Sequence, residues 1–345
     1  MKPSFTVIGE NIHTTRIIRA PSPRLVDDDQ GWPSIAFTDE DGKPRLLPIP
    51  EEEQRTQEYV EGRVKHVRSA VRMAKNGEDF GVAYLRKMAI EQVEAGAAFL
   101  DVNVDEYSYK LPEQIETMEY LVDLLDSITT VPLSIDSSNA EIIEAGIAAA
   151  SRRAGPPMLN SASLERIDAL DIAKKVGGPV IVTAAGSSGM PSNAAERVDN
   201  ASRMVDAAIE KEIPLDLLYV DPLMFPISVD GDFGHHVLDA IRAIRARYGP
   251  EIHITGGMSN VSFGLPNRRL INDAFLVLAI EAGADSGIVD PIQNDIGRIL
   301  EIDRDSRPFQ LALDVLTGVD RHCRAYIKAS RSGELQMPTI AAPAR

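Results

Sequence analysis

The chain has a single cysteine, Cys323, among 345 residues. One thiol excludes an internal disulfide framework and a cysteine-ligated cluster. No apolar run approaches membrane-spanning length, and the opening Met1-Lys2-Pro3-Ser4-Phe5 lacks the apolar region of a signal peptide. A reducing cytoplasm and no membrane association are therefore expected. Basic residues are outnumbered, 36 Lys and Arg against 52 Asp and Glu, for a net charge of −16. Phosphate polymers are held by clustered Lys and Arg, and no basic stripe with interleaved aromatics is present, so nucleic acid is not an expected partner. The acidic surface can steer a protein partner, although solubility explains it equally well. A Gly-x-Gly-x-x-Gly fingerprint is also missing after the first apolar run, which disfavours a doubly wound dinucleotide-binding sheet.

What is present is an ordinary globular composition, 44% hydrophobic and 26% charged, enough for a sizeable core. From residue 80 onward, short apolar runs alternate with amphipathic stretches, the pattern of repeated βα units. The candidate strands are Phe5–Gly9, Phe99–Val102, Val131–Ile135, Pro157–Leu159, Pro179–Thr183, Leu217–Val220, Ile252–Thr255 and Ser286–Val289. Helices are expected at Gly81–Ala95, Ile115–Leu125, Asn139–Ala150, Leu164–Lys175, Ala194–Lys211, His235–Tyr248 and Arg269–Ala282, several ending at Gly or Pro. Eight strands with intervening helices predict a (β/α)8 TIM barrel spanning residues 1–330.

Residues 14–77 break the alternation and read as an insertion after strand one. Ser34–Thr38 and Arg45–Ile49 flank Asp41-Gly42-Lys43-Pro44 as a β-hairpin. Tyr59, Val60, Val64, Val67 and Val71 fall at helical spacing, which predicts one extra helix over 54–75. Residues 331–345 form a C-terminal tail, expected to be disordered at its Pro-rich end.

Polar residues gather at the strand ends. Glu10, Asn11 and His13 follow strand one, and Asp101 and Asn103 lie at strand two. Asp136 and Asn139 follow strand three, Asn160 and Ser161 strand four, and Asp221 strand six. Gly256, Gly257, Ser259 and Asn260 follow strand seven, and Asp290 strand eight. In a (β/α)8 barrel these ends share the active-site face. The set is rich in Asp and Asn and poor in His, and a lone His13 is not expected to hold a metal. It suits a planar, nitrogen-rich ligand, because a carboxylate facing an N–C–N edge accepts two parallel hydrogen bonds and an amide serves a donor–acceptor pair. Against this, an Asp after a strand is often only a helix N-cap, and Asp136-Ser137-Ser138-Asn139 is suited to that role.

The segments Ile8-Gly9-Glu10-Asn11-Ile12, Leu100-Asp101-Val102-Asn103-Val104, Ile135-Asp136-Ser137-Ser138-Asn139, Leu159-Asn160-Ser161-Ala162-Ser163, Tyr219-Val220-Asp221-Pro222-Leu223 and Gly256-Gly257-Met258-Ser259-Asn260-Val261-Ser262 occur in order. In them the chain resembles the pterin-binding methyltransferases, which include methyltetrahydrofolate–corrinoid protein methyltransferases and the folate domain of cobalamin-dependent methionine synthase. Dihydropteroate synthase is a more distant relative. The resemblance implies that Asp136, Asn160 and Asp221 hold a pterin ring, with Asn103, Ser259 and Glu10 also lining the substrate site. It places Asn260 near N5, where a methyl group is carried, as the catalytic residue. It implies tetrahydrofolate or 5-methyltetrahydrofolate as substrate, a corrinoid carried by a partner protein, and a homodimer. The first strand end departs from the family's Gly-Glu-Arg-Ile-Asn, with Asn11 and His13 replacing the Arg and the second Asn. The corrinoid-ligand motif Asp-x-His-x-x-Gly is absent, and the nearest approach, Glu251–Gly256, puts His253 on strand seven as a structural residue. A dihydropteroate synthase-like condensing enzyme is the same-fold alternative, disfavoured because Ser-Asn-Val-Ser-Phe-Gly stands where that enzyme needs a basic motif. A non-catalytic pterin-binding subunit is the other.

Overall fold

The computed structural model describes residues 5–335. Eight strands form one sheet: β1 Thr6–His13, β2 Phe99–Asn103, β3 Leu133–Asp136, β4 Met158–Ala162, β5 Val180–Thr183, β6 Leu218–Asp221, β7 His253–Ile254 and β8 Ser286–Val289. Their order is β7-β6-β5-β4-β3-β2-β1-β8, each strand beside its neighbour in sequence except at the β1–β8 pair. Such a simple order is what successive βα units produce, and the fold is the (β/α)8 barrel expected from the alternation. Strands β4, β5 and β6 are buried at every residue, because helices cover one face and the barrel interior the other. The seven expected helices form, among them Asp79–Glu94, Leu111–Ile128 and Ala194–Glu210. Among the described residues, no helix is long and apolar enough to cross a membrane.

By packing, the chain divides into two compact units, one of Ile8–Ser161 with Lys175–Gly178 and the other of the remaining described residues. In the second unit the Ile288 N–H donates to the Gly256 carbonyl at 2.9 Å, and a parallel bridge joins Gly257 to Ile288. This sets β8 beside the segment that follows β7. In the same unit Asn193 caps helix Ala194–Glu210, its side chain accepting from the Glu196 N–H at 2.9 Å, while Glu196 accepts in return from the Ser192 N–H at 2.8 Å.

The first unit contains the insertion. The expected hairpin is present, with strands Pro33–Thr38 and Pro44–Pro48 paired from Ser34↔Pro48 to Thr38↔Pro44. A third strand, Leu25–Asp27, pairs antiparallel with the first of these and was not foreseen, since three residues are too few to show a period. The single helix expected over 54–75 is corrected. A short turn of helix at Gln57–Val60 ends before Gly62, whose φ of +74° is left-handed and stops helix propagation. Arg63–Val64 then pairs antiparallel with Ile18–Arg19, and only His66–Lys75 is a regular helix. Val64, Val67 and Val71 are buried as their spacing suggests, whereas Val60, on the far side of the break, is 73% exposed. At the other end, helix Arg324–Ser332 runs across position 330, and the tail's Pro-rich segment lies outside the described residues.

Polar contacts tie the insertion to the loop after β2. The Thr14 N–H donates to the Asn103 carbonyl at 3.0 Å, and Arg68 and Arg72 donate to the carbonyls of Glu106 and Tyr107. Arg68 is held in turn by a bidentate pair with Glu53, N···O 2.5 and 2.6 Å, both side chains buried. Removing one member of a buried pair strands the other charge, at a cost of about 3–5 kcal/mol. Glu53→Ala is therefore expected to lower unfolding free energy by that amount in denaturant titration; a loss within experimental error would show that the pair is solvated and unimportant.

Candidate functional site

The parallel register brings together three of the expected site residues, Asn103, Asp136 and Asn160, with His13. His13 lies opposite Asn103, Asn103 opposite Asp136, and Asp136 opposite Asn160, one row across β1 to β4. His13 reaches this row through a bulge. Gly9 pairs with Leu100 but Ile12 with Val102, so an extra residue is accommodated around Glu10 and Asn11. A regular strand would put Ile12 opposite Asn103; the bulge replaces that apolar side chain with an imidazole. Two residues below Asn103, and so on the same face of β2, lies Asp101.

These side chains form two adjacent hydrogen-bonded groups within the first unit. His13 Nε2 and Asp101 Oδ2 are 2.8 Å apart. Asp101 Oδ1 accepts from Ser134 Oγ and from Asn160 Nδ2, the latter at 3.2 Å. Asn103 Nδ2 donates to Asp136 Oδ2 at 2.8 Å, while its Oδ1 accepts the Asp105 N–H at 2.9 Å. Asp101 is 1% exposed and Asn103 8%. Burial raises the Asp136 pKa to about 7, and the Asp101 charge adds to the rise, opposed by His13 and the Asn103 hydrogen bond. Burial works against a charged His13, but its hydrogen bond to Asp101 and the surrounding carboxylates raise its pKa overall. His13 and Asp136 are thus both biased toward holding a proton.

His13 was expected to stand alone, and the fold places it with two carboxylates instead. Donor atoms of His13, Asp101 and Asp136 all lie within 4.8 Å of one another, a set that could hold a metal ion. In this structure both Asp101 oxygens are engaged, Oδ1 by Ser134 and Asn160 and Oδ2 by His13.

The second unit holds Asp221, Ser259 and Asn260. Asp221 ends β6 and is 9% exposed; its Oδ1 accepts the Leu223 N–H at 2.7 Å. Burial raises its pKa to about 6, with the Leu223 N–H and the charge of Arg197 acting in the opposite direction. Gly256 makes room for this carboxylate: a Cβ there would lie 2.6 Å from Asp221 Oδ1, and its φ of +146° also disfavours any side chain. Asn260 lies on the 3₁₀ turn Met258–Ser262. Its side chain is exposed, and the Ser259 carbonyl beside it accepts from Arg268 at 2.8 Å. Glu10 is partly exposed and pairs with Arg16 at 3.4 Å.

Other strand-end candidates have structural roles. Asn139 is the N-cap of helix Ala140–Ala149, accepting the Glu141 N–H at 2.8 Å, which leaves Asp136 free of that duty. Asp290 accepts the Ile292 and Gln293 N–H groups in its own turn. His253 stacks on Tyr219 with centroids 4.4 Å apart and bonds Asp285 at 2.9 Å, so it is committed to the barrel wall as expected.

Residues 70–290 match the model of the pterin binding enzyme family. The chain belongs to that family. It is 32% identical over 286 residues to the methylcorrinoid:tetrahydrofolate methyltransferase of Eubacterium limosum, covering 81% of this chain and 96% of that one. It is 28% identical over 255 residues to the methionine synthase of Mycobacterium leprae, covering 69% of this chain but 20% of that much longer protein. Among solved structures, the dihydropteroate synthase of Stenotrophomonas maltophilia superposes with a TM-score of 0.52 at 20% identity, over 65% of this chain and 86% of that one. That last likeness speaks for the fold alone. The extended identity to a methyltransferase makes this pterin-binding enzyme a methyltransferase.

Sequence reading missed the His13–Asp101 pair, because the two are 88 residues apart and the bulge that aims His13 leaves no period to read. It also missed Arg197, which has the appearance of one charge among many on an amphipathic helix. The raised Asp136 pKa has a consequence for stability. Between the ordinary value of 3.8 and about 7, the folded chain keeps a proton that the unfolded chain has lost. This contribution is full below the lower value and lost as pH rises through the upper one. Asp136→Asn should flatten the decline in unfolding free energy between about pH 4 and about pH 7, by on the order of 1–3 kcal/mol after allowing for coupling. Parallel wild-type and variant curves would remove Asp136 as the titrating group.

Proposed function

We propose that this methyltransferase moves a methyl group between N5 of tetrahydrofolate and the cobalt of a corrinoid held by a separate protein. The observation behind this reading is the identity to the Eubacterium limosum methylcorrinoid:tetrahydrofolate methyltransferase, which spans nearly all of that protein. The chemistry of the strand-end residues agrees with it. A pterin offers adjacent N–H donors and acceptors, and Asp136, Asn160 and Asp221 are proposed to meet them, two as carboxylates and one as an amide that both donates and accepts. Asn103 then acts on Asp136 rather than on the ligand, since its Nδ2 already donates to that carboxylate. Glu10 and Ser259 are proposed as outer contacts of the same ligand.

Methyl exchange at N5 changes the charge on that nitrogen, and the barrier falls if a fixed dipole meets the change. Asn260 is the proposed dipole. Its amide is placed by Gly257, where a Cβ would come 2.7 Å from Nδ2. The corrinoid, when its carrier protein is docked, supplies the metal atom that exchanges the methyl group with N5. No residue of this chain is assigned to hold it: the one histidine in a motif-like setting, His253, is engaged by Asp285 and Tyr219. The condensing-enzyme alternative stays disfavoured, because Arg268 near Asn260 is turned onto Ser259 and Ser262 and is committed to the turn itself.

Incubation with tetrahydrofolate and methylated free cobalamin should yield 5-methyltetrahydrofolate, and a catalytically inert subunit would yield none. Asp221→Asn should weaken tetrahydrofolate binding by about 1.5–3 kcal/mol through loss of a charge-assisted hydrogen bond, with the fold intact by circular dichroism. Unchanged affinity in calorimetry would take Asp221 out of the site. Asn260→Ala should reduce turnover more than it reduces tetrahydrofolate affinity, because its bond strengthens as N5 changes charge. Were the loss confined to affinity, with turnover preserved, Asn260 would be an ordinary binding residue.

A further inference from the structure

Helix Ala194–Glu210 carries an arginine with no exposed surface. The Arg197 guanidinium lies 4.8 Å from the centroid of Phe225 and 5.8 Å from that of Phe233, two rings that meet edge to face. Its hydrogen bonds go only to backbone carbonyls and are long, Nη1 to Asn193 at 3.2 Å and Nε to Leu223 at 3.4 Å. Nη2 is buried without a partner. A desolvated cation held so loosely costs more than a hydrocarbon of the same volume, so packing is a poor reason for it.

Leu223 explains the position. It adopts a left-handed φ of +67°, a conformation that costs a residue with a Cβ about 1–2 kcal/mol. Its two backbone groups point opposite ways along one chain of contacts: the N–H to Asp221 Oδ1 at 2.7 Å, the carbonyl to Arg197. We propose that Arg197 is the positioning residue for Asp221, clamping the Asp221-Pro222-Leu223 turn through the Leu223 carbonyl and holding a positive charge behind the carboxylate. Asp221 then meets its ligand ionised and aimed. This rests on the reading of Asp221 as a pterin anchor.

The charged neighbours are few. Asp221 and the adjacent Glu196 favour a charged Arg197, against its burial. From helix Phe233–Tyr248 comes His236, kept neutral by burial, by His235 and by Arg197 itself, against the pull of Asp232 and Asp230. Removing Arg197 takes away the cation acting on Asp221, so the carboxylate keeps its proton to higher pH. A ligand that donates N–H groups to the ionised form is then lost at higher pH than in the wild type.

The test uses the full chain and two readouts. Tetrahydrofolate binding by calorimetry is followed from acid to mildly alkaline pH, and the Asp221 carboxyl is titrated by carbon NMR without ligand. Arg197→Met should shift both midpoints to higher pH and weaken binding roughly tenfold. Adding Leu223→Gly, which takes the turn without strain, should restore much of the affinity at alkaline pH but leave the midpoints shifted. Arg197→Lys, a milder change should the Met variant not fold, keeps a charge and should hold the midpoints near wild type while weakening binding. An unmoved Asp221 titration in folded Arg197→Met overturns the proposal. Failure of the wild type to bind tetrahydrofolate, or wild-type binding by Asp221→Asn, overturns instead the assignment of Asp221 on which it rests.

Discussion

The constraint on which the site depends is the in-register pairing of parallel strands. Residues opposite one another on neighbouring strands stay opposite, so a single polar position at the end of each strand becomes a continuous polar row. His13, Asn103, Asp136 and Asn160 are neighbours for that reason and no other, since 147 residue positions separate the first from the last. The bulge at Glu10–Asn11 is part of the same device. It advances β1 by one residue, and the row receives an imidazole instead of the side chain of Ile12.

Assembling such a row has an electrostatic cost. Asp101 and Asp136 are brought close in a poorly solvated place, and both cannot be fully charged without compensation. The chain answers with one cation-capable group and several neutral donors. His13 and Ser134 hold Asp101, Asn160 adds a third bond to it, and Asn103 holds Asp136. Burial and the Asp101 charge nevertheless raise the Asp136 pKa to about 7. Asp221, in the other unit, is raised to about 6 by burial, with the Leu223 N–H and the buried Arg197 holding back the rise. In both places the residues around the carboxylate define its charge, and the carboxylate alone would not be informative.

The insertion shows the same dependence on long-range pairing. Its buried Glu53–Arg68 pair and the arginine contacts to the Glu106 and Tyr107 carbonyls fix it to the loop following β2. Phe37 packs edge to face on Tyr84 at 5.0 Å, so the hairpin contributes to a core and is not a loose appendage.

The eight strands and seven main helices were legible in the sequence because a repeating βα unit imposes a local period, and local periods are what a chain displays without folding. Asp136, Asn160, Asp221 and Asn260 stood out because each lies at or after a strand end and falls in a segment resembling one family. The extra helix over 54–75 was misread: valine spacing satisfied a helical period, but a left-handed Gly62 and a strand partner at Ile18–Arg19 overrode it. Whether Asp136 or Asn139 capped its helix was open until the structure gave that task to Asn139. The His13–Asp101 pair, the bulge that makes it and the clamp of Arg197 on Leu223 were decided by tertiary structure alone. Each depends on register, burial or backbone handedness, properties that arise between segments far apart in the chain and leave no period within either of them.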